Sequence, residues 1–308
     1  MTSPISERRS RTALVAGASG HLGRHIVREL RDRGWRVRAI TRDPARLLAA
    51  AGPVEDVVRG SITDAGALAG VCDGVDAVIS AAGATMSLGG LRDRRSFMEV
   101  DFAGNANLLE QARTAGVAKF VYVSLHGARQ LIRTEYAAAH ERLVAALAAS
   151  EMPYTVVRPT GFFSMFADIL HMAARGHGVV IGDGSAHTNP IDERDVAPIC
   201  VDAVDAHERE IPVGGPQVYT RRQIVELAFE AVGRAPRIIT SPPWLFAAAA
   251  ALARPVNPRL HALMVFGGAV SVIDLVAPPR GTRTLPRYFA ELRGGATLPS
   301  TSGSGVPA

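Results

Sequence analysis

The chain has 308 residues, of which 47% are hydrophobic and 20% charged, and its formal net charge is +5. This is ordinary globular composition, and the length is ample for a substantial core. The positive charge does not indicate a nucleic-acid partner, because the arginines are scattered and aromatic residues make up only 6% of the chain.

The cysteines and the apolar segments bear on the cellular location. Cys72 and Cys200 lie far apart without a CxxC motif, which excludes a disulfide framework and favours a reducing compartment. The polar N-terminus lacks the apolar core of a signal peptide. The longest apolar stretch, residues 244–253, is too short to span a bilayer and is predicted to be a packed helix. We therefore expect a cytoplasmic protein without a transmembrane segment.

Short apolar runs alternate with helical patterns over the first 160 residues. The predicted strands are residues 12–16, 36–40, 54–58, 77–80, 120–124 and 154–159. The clearest predicted helices between them are residues 21–33, 99–115 and 134–149. Because strands joined through helices run parallel, this alternation predicts an α/β fold: a doubly wound parallel sheet covered by helices on both faces.

The pattern is looser after residue 160. The predicted elements here are helices at residues 163–175, 193–206 and 221–232, and a glycine-rich turn at 182–190. We predict a core over residues 1–160 and a smaller C-terminal cap over 161–293, interleaved with the core, which covers the C-terminal edge of the sheet and binds the substrate. The Gly/Ser/Pro-rich tail, 294–308, is predicted to be disordered.

A glycine-rich loop links the first strand to the first helix. Gly17, Gly20 and Gly23 form a G-x-x-G-x-x-G motif there. Such glycines permit a tight turn, close approach of the backbone to a pyrophosphate and close packing of helix on strand, while the helix N-terminus favours the negative charge. At the head of six alternating units, the motif predicts a Rossmann-type dinucleotide-binding core.

The end of the second strand indicates which dinucleotide is bound. A carboxylate at this point binds the ribose 2′-hydroxyl of NAD, whereas a guanidinium can hold a 2′-phosphate. The sequence has Thr41 and Arg42 here, so NADP(H) is favoured over NAD(H). The adjacent Asp43 keeps NAD(H) open as the alternative.

Longer segments resemble the atypical short-chain dehydrogenase/reductases, in the branch of NmrA-like proteins and divinyl chlorophyllide 8-vinyl reductases. These segments are "GASGHLGR", "TRDPARL", "VDFAGNANLLEQARTAGVAKFVYVSLHGA", "YTVVRPTGFFSMFADIL", "NPIDERDVA" and "GPQVYTRRQIVELAFEAVG". The resemblance implies a Rossmann fold and bound NAD(P)H, and reductases are among the members of the branch. The branch also includes isomerases and proteins that bind NADP only as a sensor.

The resemblance implies a set of cofactor-binding residues. Those around the pyrophosphate would be Gly17, Ser19, Gly20, His21, Leu22 and Gly23. Those along the rest of the cofactor would be Thr41 and Arg42 at the adenosine phosphate, Ser61 and Ile62 near adenine, Ala81, Ala82 and Gly83 after the fourth strand, and Pro159 and Thr160 near the nicotinamide carboxamide. Ser61 stands where relatives usually have Asp, and this departure weakens the adenine contact.

The catalytic candidates follow the fifth strand. Ligands of such sheets bind at the carboxyl ends of the strands, where Ser124 lies. Standard short-chain dehydrogenases pair this Ser with a Tyr-x-x-x-Lys on the next helix, and here Tyr136 and His140 occupy those two positions. The resemblance implies that Tyr136 is the proton donor and His140 the ribose-binding substitute for Lys. Alternatively, both side chains simply pack inward on one apolar helix face.

Other candidates lie at the same edge of the sheet. His126 is a second candidate acid, or else a solvated loop histidine. An apolar wall for the substrate is predicted from Phe162, Phe163, Met165 and Phe166, for which core packing is the competing interpretation.

The function that these patterns favour is an NADPH-dependent reductase. It would transfer hydride to a carbonyl or conjugated alkene of an apolar, ring-containing small molecule, in a setting such as specialised metabolism. The alternatives are a non-catalytic NADP-sensing regulator and a cofactor-assisted isomerase, dehydratase or cyclase. No HExxH motif or other metal-ligand spacing and no GxSxG motif is present, so no metal site is predicted. The sequence does not indicate the oligomeric state.

Overall fold

The computed structural model describes residues 10–86 and 93–294. The predicted disordered tail lies outside the described residues except for its first residue. None of the helices in the described ranges combines the length and the apolar character that a bilayer span requires.

Seven parallel strands form the main sheet, in the order β3-β2-β1-β4-β5-β6-β9. Their bounds are β1 Thr12–Ala16, β2 Arg36–Thr41, β3 Asp56–Arg59, β4 Ala77–Ser80, β5 Lys119–Val123, β6 Tyr154–Pro159 and β9 Glu210–Val213. The six predicted strands are all present, although β3 begins two residues later than predicted. Two small sheets lie outside this one, formed by β7 Gly178–Ile181 with β11 Ile238–Ser241, and by β8 His187–Thr188 with β10 Tyr219–Thr220.

Helices cover both faces of the main sheet. The helices described are α1 Gly23–Asp32, α2 Pro44–Ala51, α3 Asn105–Thr114, α4 Glu135–Ala149, α5 Ala167–Ala174, α6 Glu193–Asp202, α7 Arg221–Ala231, α8 Pro243–Ala253, α9 Pro258–Val270 and α10 Leu285–Gly294. Apolar side chains of α1, α2 and α6 pack on one face and those of α3 and α4 on the other. Successive residues of β1 alternate between the two clusters, as strand geometry requires. The predicted doubly wound α/β fold is confirmed.

Two predicted helices begin with irregular turns. The segment predicted as 99–115 starts with a π-helix, Met98–Gly104, before α3, and the segment predicted as 163–175 starts with a 3₁₀ turn, Phe163–Phe166, before α5. Asp101 lies in the π-helix and is fully buried, and both its carboxylate oxygens lie 3.2 Å from the backbone nitrogen of Ala84, which donates to them. Such π-turns are frequent at functional sites.

The region after residue 160 divides its elements between core and cap. Helix α6 packs on α1, and β9 extends the main sheet beside β6. The remaining elements build the cap: α5, α7 and α10 surround a separate apolar cluster, and α8 packs against α9. The predicted apolar stretch 244–253 coincides with α8, which leaves Trp244 and Leu252 exposed.

Candidate active site

A cleft lies at the carboxyl ends of β1, β2 and β4, and the glycine loop forms one wall. Gly17 has a φ of +78°, and a Cβ at this position would lie 2.6 Å from the carbonyl oxygen of Ala81. A Cβ at Gly23 would lie 2.0 Å from the carbonyl oxygen of Gly17. The first and third glycines are therefore required by steric crowding, which fits a backbone cradle for a pyrophosphate.

The residues predicted for the pyrophosphate divide into two groups. Gly17, Ser19 and Gly20 line the cleft. His21 is exposed, whereas Leu22 and Gly23 are buried where α1 begins, so these three contribute to the loop without lining the cleft.

Arginines surround the far end of the cleft, after β2. Arg42, Arg46 and Arg95 all line it, together with Thr41. The Arg42 side chain is 66% exposed, and its Nη1 lies 4.0 Å from Asp93 Oδ2. Asp43 does not line the cleft; its carboxylate caps α2 by accepting a hydrogen bond from the Arg46 backbone nitrogen at 3.0 Å. Asp43, the carboxylate that left NAD(H) as the alternative cofactor, therefore caps the start of α2 and does not line the cleft.

The middle of the cleft contains the other predicted cofactor residues. Ser61, Ile62, Ala81, Ala82 and Gly83 all line it. Ser61 Oγ lies 2.9 Å from Thr63 Oγ1, and Ile62 is buried. A Cβ at Gly83 would lie 2.6 Å from Asp101 Oδ1, so the backbone passes directly over this carboxylate. The crowded glycines of the cleft fit the close approach of a dinucleotide to the backbone.

A cavity of about 540 Å³ lies at the carboxyl ends of β5 and β6, the strands that follow β4 in the sheet order. Its wall is mostly aliphatic and aromatic, and residues from the core strands meet residues of the cap. The lining residues include Ser124, Leu125, His126, Tyr136, Pro159, Thr160, Gly161, Phe162, Met165, Phe166, Ile169, Met172, Val180, Arg221, Ile224, Val225, Phe246, Phe266, Val270 and Leu275.

Tyr136 lies on the first turn of α4 and lines the cavity. Its ring makes edge contacts with Phe97, His140 and Phe266, with ring centroids 4.6 to 4.9 Å apart. Burial, and then the carboxylate of Asp101, raise the pKa of Tyr136 above its usual value, and the guanidinium of Arg259 opposes this shift. The phenol is therefore protonated at neutral pH and able to donate a hydrogen bond into the cavity.

His140 lies one turn further along α4, beneath Tyr136 and away from the cavity wall. Its Nδ1 is 2.6 Å from the hydroxyl of Tyr122, and its Nε2 is 3.5 Å from Asp101 Oδ1. The side chain is 4% exposed, and Nε2 has no hydrogen-bond partner among the described residues. His140 thus packs inward, as the alternative interpretation expected, while it remains within reach of the carboxylate under Gly83.

Ser124 follows β5 and lines the cavity, where it is 5% exposed. The Arg158 guanidinium donates to its Oγ at 3.4 Å and to Glu141 at 2.6 Å. Because Ser124 accepts this hydrogen bond, its own O–H remains available to donate to a ligand oxygen.

The two strand-end loops bring the remaining polar candidates to the cavity. The backbone nitrogen of His126 donates to the Pro159 carbonyl at 2.8 Å, which ties the β5 loop to the end of β6. Burial lowers the pKa of His126 below its usual value, so its imidazole is neutral at pH 7. Thr160 is buried, and its hydroxyl donates to the Asn189 carbonyl at 2.6 Å.

Three of the four predicted substrate-wall residues line the cavity: Phe162, Met165 and Phe166. Phe163 does not, because its side chain packs in the cap cluster, 5.5 Å from the ring of Tyr288 between centroids. Successive residues of a 3₁₀ turn point in different directions, which explains why one of four adjacent apolar residues turns into the core.

Two arginines that the sequence pattern did not single out lie at the site. Arg259, on α9, is buried with its Cζ 3.7 Å from the Phe97 ring centroid, and it donates to the Thr85 carbonyl at 3.1 Å. It is the cation that opposes the raised pKa of Tyr136. Arg221, on α7, lines the cavity. Both come from the cap, far along the chain from the strands that they approach.

Within residues 10–86 and 93–294, no three side chains among His, Cys, Asp and Glu come together in a group that could hold a metal ion. Cys72 and Cys200 are both buried.

Curated relatives include a divinyl chlorophyllide a 8-vinyl-reductase of Oryza sativa subsp. indica, 32% identical over 75% of this chain and 61% of its own length. A 3 beta-hydroxysteroid dehydrogenase/Delta 5→4-isomerase of Mycobacterium tuberculosis is 30% identical over 56% of this chain and 54% of its own length. The chain therefore spans about three fifths or less of these relatives.

Solved structures share the fold. An NADPH-dependent quinone oxidoreductase from Escherichia coli, in complex with NADPH, superposes with a TM-score of 0.71 at 19% identity, covering 91% of this chain and 99% of the other. The family described as NAD(P)H-binding matches residues 17–207, which include the glycine loop, the cleft and the first part of the cavity wall. The chain belongs to this NAD(P)H-binding family, and its relatives are those of the atypical short-chain dehydrogenase/reductases.

Proposed function

We propose that the protein is an NADPH-dependent reductase of an apolar small molecule. The observation that carries this proposal is the juxtaposition of the two depressions. The cleft suited to a dinucleotide lies at the ends of β1, β2 and β4, and the apolar cavity lies at the ends of β5 and β6 along the same edge. In α/β sheets this edge is where cofactor and substrate meet.

The cavity supports an apolar substrate with a polar group at one end. When bound, NADPH supplies a hydride to a carbonyl or to a conjugated alkene. The chain's own contribution would be to orient the acceptor and to stabilise negative charge that develops on its oxygen. Tyr136 and Ser124 are hydroxyl-bearing residues of the cavity wall, and Phe162, Met165 and Phe166 offer a surface for a ring system.

The reductase proposal can be tested with both classes of hydride acceptor, carbonyls and conjugated alkenes. We expect NADPH to be oxidised in the presence of cyclic ketones or conjugated enones of a size that fits the cavity. The measurement is the loss of NADPH absorbance, with the reduced product identified by mass spectrometry and NADPH without acceptor as the control. Tight NADPH binding without turnover of any acceptor would contradict the proposal.

One observation favours the second candidate, a protein that binds NADP without catalysing a redox reaction. A Tyr that works as an acid or base near neutrality needs its pKa lowered by a neighbouring cation. Here the pKa of Tyr136 is raised, because burial and Asp101 outweigh Arg259. A regulator that only binds NADP would tolerate this environment more easily than a reductase that depends on proton transfer from the phenol.

The arginines after β2 support NADPH over NADH. We expect Arg42→Ala to raise the Kd for NADPH by about tenfold while leaving the Kd for NADH unchanged, because a guanidinium contributes to binding only when the 2′-phosphate is present. Calorimetry with both cofactors measures the difference. Arg175→Ala is the matched control, since Arg175 is an exposed arginine at the end of α5, outside the cleft. Equal weakening of both cofactors would contradict the assignment.

A further inference from the structure

Arg221 is the unusual residue of the cavity. It is the first residue of α7, which begins with a capping box formed by Thr220 and Gln223. The helix start is therefore satisfied without the Arg221 side chain, which instead lines the cavity. Its Nε and Nη2 are buried and have no hydrogen-bond partner among the described residues.

No carboxylate in the described part of the chain forms an ion pair with this guanidinium. Asp274 is the carboxylate whose charge raises the pKa of Arg221 against the effect of burial. Its side chain is 68% exposed, accepts a hydrogen bond from the His187 backbone nitrogen at 2.6 Å and lies 3.4 Å from His187 Nδ1. Burial lowers the pKa of Arg221 to about 10, so the side chain is still charged at neutral pH. Buried guanidinium nitrogens without hydrogen-bond partners reduce the stability of a fold, and a ligand that accepts hydrogen bonds from them offsets this cost.

The other residues of the cavity wall differ from Arg221 in charge. Among the described lining residues, Arg221 is the one permanently charged side chain, and Ile224, Val225 and Phe246 are among its apolar companions. The cavity thus joins a large apolar surface to a single cation with unsatisfied donors. A planar guanidinium with free N–H groups matches a carboxylate, which can accept two parallel hydrogen bonds.

We propose that Arg221 binds a carboxylate of the substrate, so that the substrate class is an apolar, ring-containing acid. The assignment rests on the proposed function only in taking the cavity as the substrate site. It assigns the reaction to Ser124 and Tyr136 and the anchoring of the substrate to Arg221, which then determines specificity without taking part in the chemistry.

Binding of a fluorescent acid tests the assignment without requiring turnover. The probes are pyrenebutyrate and its methyl ester, which share the ring system and differ in charge. We expect the full-length protein to bind the acid at least about tenfold more tightly than the ester, because a charge-assisted hydrogen bond to a buried guanidinium is lost in the ester. In Arg221→Met, this preference should disappear, whereas the affinity for the ester should be retained.

Arg222→Met is the matched control. Arg222 is the next residue and carries the same charge, but it donates to the Asp183 carbonyl and to Thr240 Oγ1 and does not line the cavity. We expect this variant to keep the preference for the acid. A thermal melt of Arg221→Met gives a second readout: its Tm should be equal to or above that of the unchanged protein, because an unpaired buried charge is removed.

The outcomes separate this inference from the proposed function. Equal affinity for acid and ester in the unchanged protein, or an unaltered preference in Arg221→Met, overturns the carboxylate assignment and leaves the reductase proposal standing. A lower Tm for Arg221→Met also overturns it, because the guanidinium would then have a structural role. If the unchanged protein prefers the acid, Arg221→Met loses this preference and no acceptor is reduced by NADPH, the anchoring role is supported and the reductase proposal is overturned instead.

Discussion

Tyr136→Phe is expected to lower kcat for NADPH-dependent reduction by about 10²- to 10⁴-fold, the usual contribution of a positioned proton donor. The substitution removes one hydroxyl and keeps the ring, which packs against Phe97, His140 and Phe266. Neither the fold nor the dinucleotide cleft depends on that hydroxyl, because Tyr136 lines the cavity and not the cleft. The Kd for NADPH should therefore be unchanged.

Steady-state kinetics and a binding titration measure the two quantities separately. Tyr288→Phe is the control, because Tyr288 is also a phenol whose pKa is raised by burial, and it does not line the cavity. It should keep full activity. If Tyr136→Phe retains the kcat of the unchanged protein, the proton-donor role is excluded, and a role in packing alone remains for this ring.

The pH profile of the reduction gives an independent check on the same residue. Since the pKa of Tyr136 lies above its usual value of 10, the phenol stays protonated through the neutral and mildly alkaline range. We expect kcat to show no loss attributable to Tyr136 as the pH rises to 10. A loss between pH 7 and 9 that disappears in Tyr136→Phe would show that the bound cofactor reverses the shift.

Gly17→Ala is expected to weaken NADPH binding by about a hundredfold or more, equivalent to roughly 2.7 kcal/mol. Two effects act at this position. An alanine at a φ of +78° adopts a left-handed conformation that costs about 1–2 kcal/mol, and its Cβ would lie 2.6 Å from the backbone oxygen of Ala81. Because the obstructing atom belongs to the backbone, relief requires the loops after β1 and β4 to move apart, which deforms the cleft.

Gly34→Ala separates the two effects. Gly34 has the same φ of +78°, and a Cβ there would meet no atom within 4 Å. We expect this control to lower the Tm and leave the Kd for NADPH unchanged, whereas Gly17→Ala should change both. Calorimetric titration and thermal melts of the two variants provide the comparison. Equal Kd values in the two variants would show that crowding at Ala81 is not what shapes the cleft.

The sequence predicted those features that arise from local patterns. Apolar runs separated by helical segments predicted the six strands, and the spacing of Gly17, Gly20 and Gly23 predicted a loop whose crowding is visible in the structure. The alignment of strand ends then follows from parallel topology. Because the strand ends are aligned, Ser124, which follows a strand, and Tyr136, which lies on the next helix, both line one cavity.

Features that depend on long-range packing were not predicted. Strand β9 is only four residues long and contains Pro212, which an edge strand tolerates but which weakens any strand pattern. Arg221 is the first residue of α7 and Arg259 the second residue of α9, and nothing in their neighbouring residues indicates that they approach residues far earlier in the chain. Whether His140 packs inward or binds the cofactor was not predicted either, because the spacing along a helix shows which residues share a face and does not show which part of the protein that face packs against.

The division of residues 161–294 between core and cap has a consequence for modularity. Strand β9 completes the main sheet and α6 packs on it, so the cap is formed by one insertion, residues 161–192, and by residues 214–294, which follow the last strand of the dinucleotide-binding unit. A fragment ending at residue 160 would leave β6 as an open, adhesive edge and would be prone to aggregate. Exchanging residues 161–192 and 214–294 together would replace the cap's share of the cavity wall and keep the core's share, which includes Ser124 and Tyr136.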